Sequence, residues 1–227
     1  MENFMTLFVS RAEGYLLPAY HGNRKRFKVF VFSKTAGYRH KSIPAGIKAI
    51  RELGGSTGAF SVDASEDASL ITADNLFQYT VVVFLQTSGN ILTEEQLSGL
   101  GSYVRGGGGI VGVHCAAAAM PDDPWHGELI GAVFMDHPKP QPRMVTVERP
   151  DHVIVSGLPE KWHWFDEWYN FLANPRGKVT VLLSIEETGY ENGKMGPDHP
   201  LAWCREFDSG RTFYTSLGHF GEEIYDS

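Results

Sequence analysis

The chain has 227 residues, 42% hydrophobic and 12% aromatic, which is enough to bury a core and excludes wholesale disorder. Its 20 Lys and Arg against 27 Asp and Glu give a net charge of −7, which argues against a nucleic-acid partner, because neutralising phosphates needs a basic face. No apolar run approaches the ~18 residues of a membrane span, and two cysteines, Cys115 and Cys204, cannot build a disulfide framework, so a reducing, cytoplasmic setting is expected.

Residues 1–26 read as an N-terminal extension without targeting character, since Leu16-Leu17-Pro18 makes a poor apolar segment and no small-residue cleavage site follows. Whether the mature protein keeps it is left open. Regular structure is predicted to begin at Phe27 with a β-branched and aromatic strand over 27–32 that ends in the turn-prone Lys34-Thr35-Ala36-Gly37. Ser42 is the expected N-cap of a helix, with Pro44 in its first turn. Ile43, Ile47, Ile50 and Leu53 lie on one face of it, and Gly54-Gly55 is its expected end.

A short strand over 59–62 and a longer one over 80–85 follow. Thr93 then caps a helix to about Arg105, with Glu94, Glu95 and Gln96 in its first turn. Gly106 to Gly109 close that helix, and Ile110-Val111-Gly112-Val113 is another continuous apolar strand. Such runs between amphipathic helices indicate a parallel sheet covered on both faces. The second half carries five β signals, over 143–148, 167–172, 179–184, 202–207 and 211–217. One α/β domain over 27–227 is expected, a mostly parallel sheet flanked by helices with a β-rich C-terminal extension.

Ligands of an open parallel sheet bind outside the carboxyl ends of its strands. His40 follows the first strand and His114 ends the strand over 110–113, where a histidine can serve as acid, base or ligand. Gly112-Val113-His114-Cys115-Ala116 has the form of a strand-to-helix elbow, and the nucleophile's place in it falls on His114, with Cys115 one residue too late. The glycines at 106–109 precede a strand instead of following one, so no dinucleotide fingerprint is present. Asp136-His137-Pro138 reads as a loop. Trp162-His163-Trp164-Phe165-Asp166-Glu167-Trp168-Tyr169 sets aromatic faces beside carboxylates, a combination that suits a sugar or else the aromatic edge of a core. His199 precedes a strand and His219 follows one. Several histidines near carboxylates fit a divalent metal, although none has the spacing of a metalloprotease helix.

Lys34-Thr35-Ala36-Gly37-Tyr38-Arg39-His40 and Gly107-Gly108-Gly109-Ile110-Val111-Gly112-Val113-His114 resemble the ThuA-like, or trehalose utilisation, family. Phe134 with His137-Pro138, Asp166-Glu167-Trp168-Tyr169, Asp198-His199-Pro200-Leu201-Ala202-Trp203 and the run from Gly210-Arg211 to Gly218-His219 complete the likeness, in order, from Phe27 to His219. The resemblance implies a class I glutamine amidotransferase-like, flavodoxin-like fold without amidotransferase chemistry, because that chemistry needs a cysteine where this chain has His114. His219-Phe220-Gly221-Glu222 is one residue longer than the amidotransferase His-x-Glu pair. The resemblance also implies disaccharide use, on keto-sugars made by a partner sugar 3-dehydrogenase. The extension before Phe27 departs from the family pattern, and so does the absence of a final helix after His219.

The expected function is a carbohydrate-processing enzyme acting on a keto-glycoside by histidine acid–base chemistry. His40 and His114 would transfer protons and Asp166 or Glu167 would orient them. Tyr38, Arg39, His137, Trp168, Tyr169, His199, Arg211 and His219 would bind substrate, with or without a divalent metal. The expected partner is a small-molecule sugar, with no nucleic acid and no membrane, and homo-oligomerisation is left open. A non-catalytic sugar-binding or scaffolding protein is the alternative, and a Cys115 hydrolase the third reading.

Overall fold

A computed structural model describes residues 26–220. The expected extension lies outside the described residues but for Arg26, as do residues 221–227. The element order is β1 (Phe27–Phe32), α1 (Ile43–Thr57), β2 (Phe60–Ser65), α2 (Ala73–Leu76), β3 (Val81–Leu85), α3 (Glu94–Arg105), β4 (Gly109–Val113), α4 (Pro124–Ile130), β5 (Phe134–Asp136), β6 (Gln141–Val147), β7 (Lys161–Asp166), β8 (Asn170–Phe171), β9 (Thr180–Ile185), β10 (His199–Phe207) and β11 (Gly210–Thr215). Nine strands form one sheet in the order β2-β1-β3-β4-β11-β10-β9-β6-β7, and β5 pairs with β8 apart from it. The first five strands run parallel, in the flavodoxin-like arrangement. From β10 onwards each neighbour is antiparallel, which makes the β-rich extension.

Alternation explains why the parallel part is buried on both sides. Val29, Val31, Val81, Val83 and Leu85 face one core, where α1 brings Ala49, Ile50 and Leu53. Phe30, Phe32, Val82 and Phe84 face the other, where α3 brings Leu100, Tyr103 and Val104. Each such side chain contributes roughly 1.5–3 kcal/mol by leaving water. Among the described residues, no helix is long and apolar enough to cross a membrane.

The helix starts and stops show where local signals suffice. Thr93 and Gln96 form a full capping box at α3, as their spacing predicts. Ser42 does not cap α1: it is already helical, and its hydroxyl is turned to Gln86 and to the His219 carbonyl. Nor does α1 stop at Gly54-Gly55. It runs to Thr57 and ends at Gly58, whose φ of +66° is left-handed. Gly54 is small for another reason, since a Cβ there would lie 2.7 Å from the Phe60 carbonyl oxygen. Of the strand expected over 167–172 only Asn170–Phe171 forms, as β8; the longer strand precedes it as β7, which ends at Asp166, and Glu167 to Tyr169 form the irregular segment at the site.

Candidate functional site

The carboxyl ends of the parallel strands carry a cavity of about 550 Å³. Gly37, Tyr38 and His40 line it from the loop after β1, Ser88 and Gly89 from after β3, and Cys115 and Ala118 from after β4. Phe134, His137, Glu167, Tyr169 and His219 close the far side. The loops after β1 and β3 are laced together. The backbone N–H groups of Ala36 and Gly37 donate to the Ser88 carbonyl, and the Ser88 hydroxyl donates to that of Tyr38. Gly89 must be glycine there: its φ is +72°, and a Cβ would sit 2.7 Å from the Gly37 nitrogen.

His114 occupies the elbow after β4 with φ +53°, a left-handed value that β-carbon-bearing residues seldom adopt. It is fully buried. Its Nδ1 donates to the Ser216 carbonyl at 2.6 Å, and its Nε2 accepts the Tyr169 hydroxyl at 2.8 Å. The Tyr214 hydroxyl donates to the His114 carbonyl at 2.8 Å, so neighbouring β11 helps to hold the elbow.

His40 lies against it, ring centroids 4.7 Å apart and edge to face, and 5.0 Å from His219. Burial, with His114 and His219 nearby, pushes the His40 imidazole down to about 3, so it is neutral at pH 7. Its Nδ1 is 3.3 Å from Cys115 Sγ. Burial pushes that thiol up to about 12, the opposite of what an activated cysteine needs.

Glu167 sits where these rings converge. Its Oε2 is 3.0 Å from His219 Nδ1 and 3.5 Å from His114 Nε2, and its Oε1 is 3.6 Å from His137 Nε2. Burial alone would raise the carboxyl, but His114 and His219 outweigh it and hold Glu167 below the usual carboxylate range. The same pairing raises His219 against its own burial. Asp166, next in the chain, is fully buried and points away from the cavity. It accepts the backbone N–H groups of Glu167, Gly218 and His219 and the Trp164 indole, and its burial raises its pKa. Asp166 therefore fixes the backbone that presents Glu167 and His219.

The structure divides the residues singled out from sequence. Tyr38, His40, His137, Glu167, Tyr169 and His219 line the cavity, with His114 directly beneath them. Arg39 turns outward into an ion pair with Glu66 at 2.6 Å. Trp168 belongs to the core, its indole donating to the Gln141 carbonyl. His199 is fully buried under the chain that carries Tyr169, donating Nε2–H to the Tyr169 carbonyl at 3.0 Å and meeting Glu187 and Tyr190 at Nδ1. Arg211 opens β11 opposite Gly109, at the end of the sheet away from the cavity, beside Glu206. None of Arg39, Trp168, His199 and Arg211 reaches a substrate in the cavity.

Gln86 was not anticipated. It ends β3 with φ +51°, is fully buried, and donates to the Gly218 carbonyl at 2.5 Å and to the Ser42 hydroxyl at 2.7 Å, so it secures the loop that presents His219. Its place one residue beyond an apolar strand was the signal available.

The sequence profile of the ThuA, trehalose utilisation, family matches residues 28–227. A solved ThuA-like protein of Bacteroides uniformis is 27% identical, with a TM-score of 0.75 over 93% of this chain and 89% of that one. A ThuA-like protein of Parabacteroides merdae is 22% identical, with a TM-score of 0.72 over 87% of this chain and 81% of that one. A cytoplasmic protein of Salmonella typhimurium shares the fold at 15% identity, with a TM-score of 0.63 over 88% of this chain and 93% of that one. Comparison with curated proteins gives no match. With the profile matching residues 28–227 and the fold shared with solved ThuA-like proteins, this chain belongs to the ThuA, or trehalose utilisation, family.

Proposed function

We propose that the protein is a cytoplasmic carbohydrate-processing enzyme that acts on a keto-glycoside, and that His40, His114, His137 and Glu167 form its reactive centre. The observation that carries this reading is the Glu167 carboxylate, set within 3.0–3.6 Å of three imidazoles at the floor of a cavity about 550 Å³ in volume. That volume lies within the ~300–1,000 Å³ of small-molecule sites. Tyr38, Phe134 and Tyr169 give the aromatic faces on which sugar C–H groups stack.

A keto group acidifies the adjacent C–H, so an imidazole can take that proton. The electron pair left behind forms a double bond to the anomeric carbon as the glycosidic C–O bond breaks. The departing oxygen takes a proton, for which the Tyr169 hydroxyl is placed, and water adding across the double bond completes a net hydrolysis. This route does without the carboxylate pair of ordinary glycosidases. The reaction that must supply the substrate is oxidation of a sugar hydroxyl, the work of a dehydrogenase. Glutamine amidotransfer is excluded from the proposal, since the elbow carries His114 and the neighbouring thiol is masked.

The test is turnover of a 3-keto-disaccharide beside its unoxidised parent, followed by mass spectrometry. Cleavage of the keto form alone, lost in the His40→Ala/His114→Ala double variant, is the expected result. Unchanged cleavage in that variant overturns the assignment of the centre. Ligand-induced stabilisation without product favours the non-catalytic sugar-binding alternative.

A further inference from the structure

Four side chains of the cavity converge on one point. His40, His114, Glu167 and His219 each offer a ligand atom, and these atoms all lie within 4.8 Å of one another. Nitrogen and oxygen ligands held ~2.1 Å from a shared ion stand about 3.0 Å apart in an octahedron and about 3.4 Å apart in a tetrahedron. Glu167 Oε2 stands 3.0 Å from His219 Nδ1 and 3.5 Å from His114 Nε2, so both edges already have the right length. Closing the set around an ion needs the widest separation, 4.8 Å, to contract to ~4.2 Å for a trans pair of an octahedron or to ~3.4 Å for a tetrahedron, a movement of side-chain rotation.

Hydrogen bonds account for only part of the arrangement. His219 Nδ1 is buried and its one close polar neighbour is Glu167 Oε2, 3.0 Å away in an ion-pair contact of poor hydrogen-bond geometry. His114 gives its Nδ1–H to the Ser216 carbonyl, an acceptor only, which leaves Nε2 as the nitrogen that faces the Glu167 carboxylate, 3.5 Å away. The Tyr169 hydroxyl meets Nε2 at 2.8 Å, and a cation there would release that hydroxyl to a substrate. The outer contacts have the form that metal-bound histidines need. The second nitrogen of His114 is tied to a carbonyl, and Asp166 pins the backbone of both Glu167 and His219.

We infer that His40, His114, Glu167 and His219 bind one divalent cation of the transition series, Zn²⁺, Mn²⁺ or Fe²⁺. Three imidazoles with one carboxylate favour these ions over Mg²⁺ and Ca²⁺, which prefer oxygen. The cavity leaves the ion an open side, as a site that acts on substrate requires. This inference deepens the reading of the cavity as a keto-sugar site and rests on it for its purpose. The cation would hold the keto oxygen as negative charge develops there, leaving His137, outside the four, as the imidazole that meets the proton.

The experiment treats the full chain with a chelator, desalts it, and titrates Zn²⁺ and Mn²⁺ separately by calorimetry, with metal content counted after a second desalting. One equivalent per chain and a raised melting temperature are expected. His219→Ala and Glu167→Gln should each weaken binding at least tenfold, and His137→Ala should keep it. Absence of stoichiometric binding, or binding unmoved by both His219→Ala and Glu167→Gln, overturns the site. Full turnover of a 3-keto-disaccharide by metal-free protein overturns the cation's part in the reaction and leaves the functional reading standing. Stoichiometric binding without turnover by the loaded protein upholds the site and overturns the function.

Discussion

His126 gives the most quantitative test of the packing beneath the cavity. It lies on α4, 1% exposed, its Nε2 without a hydrogen bond and its ring edge-on to Phe84 at 5.8 Å. Burial pushes its pKa from the ordinary 6.5 down to about 4, against a weak pull from Asp123. The folded chain therefore binds fewer protons at this site than the unfolded chain does. Stability from neutral His126 is complete above pH 6.5, falls as the pH drops below that value, and levels off near 4. At pH 5 the loss comes to about 2 kcal/mol, or roughly 4–8 °C of melting temperature for a chain of this size. His40, His152 and His199 are displaced in the same direction, so the wild-type profile alone does not isolate the effect. The comparison with His126→Phe does, because any packing cost of the ring is the same at both pH values and cancels. Urea unfolding at pH 8 and pH 5 should show the variant losing about 2 kcal/mol less than wild type. Parallel losses in the two proteins would refute a buried, neutral His126.

Two further outcomes follow from groups at the site. Cys115 and Cys204 are 3% and 1% exposed, so an aromatic disulfide reagent should leave the native protein unlabelled and titrate two thiols in denaturant. Prompt labelling of Cys115 with loss of turnover would restore the cysteine-hydrolase reading, which its place in the cavity lining and its 3.3 Å contact with His40 favour. Asp166→Asn sets an amide N–H₂ among four donors. It should cost about 1–3 kcal/mol and lower kcat more than it raises KM, because it loosens His219 and Glu167 without touching substrate. An unchanged melting temperature would show that Asp166 does not hold that backbone.

The parallel half of the fold was legible because its signals are local. Continuous apolar runs, a capping box at Thr93 and strand ends at His40 and His114 each need only a few neighbouring residues. Gly54 misled because a glycine inside a helix looks the same whether it ends the helix or makes room for Phe60, and only the tertiary contact separates the two. Arg211 was misplaced for a directional reason. A parallel strand delivers its carboxyl end to the cavity, so in the run from Gly210 to His219 the last residue is at the site and the first is about a strand's length away. Adjacent Trp168 and Tyr169 part company in the same way, one entering the core and the other the cavity.

The position of Glu167 required information that no local pattern holds. It follows β7, the last strand of the nine-stranded sheet, yet its carboxylate meets the histidine that follows β4, four strands beyond β6 in the sheet order. The chain after β7 bridges that distance by crossing back over the sheet, and it is held at β11, β10 and β4. Asp166 takes the N–H groups of Gly218 and His219 beyond β11, His199 at the start of β10 donates to the Tyr169 carbonyl, and the Tyr169 hydroxyl reaches His114 after β4. Because β10 is antiparallel to β11, its first residue lies at the same end of the sheet as the carboxyl ends of the parallel strands. That geometry makes His199 a buried support for the crossing segment instead of a ligand-binding group. The antiparallel extension thus does more than widen the sheet: it returns a carboxylate from the sheet's far edge to the histidines at its centre.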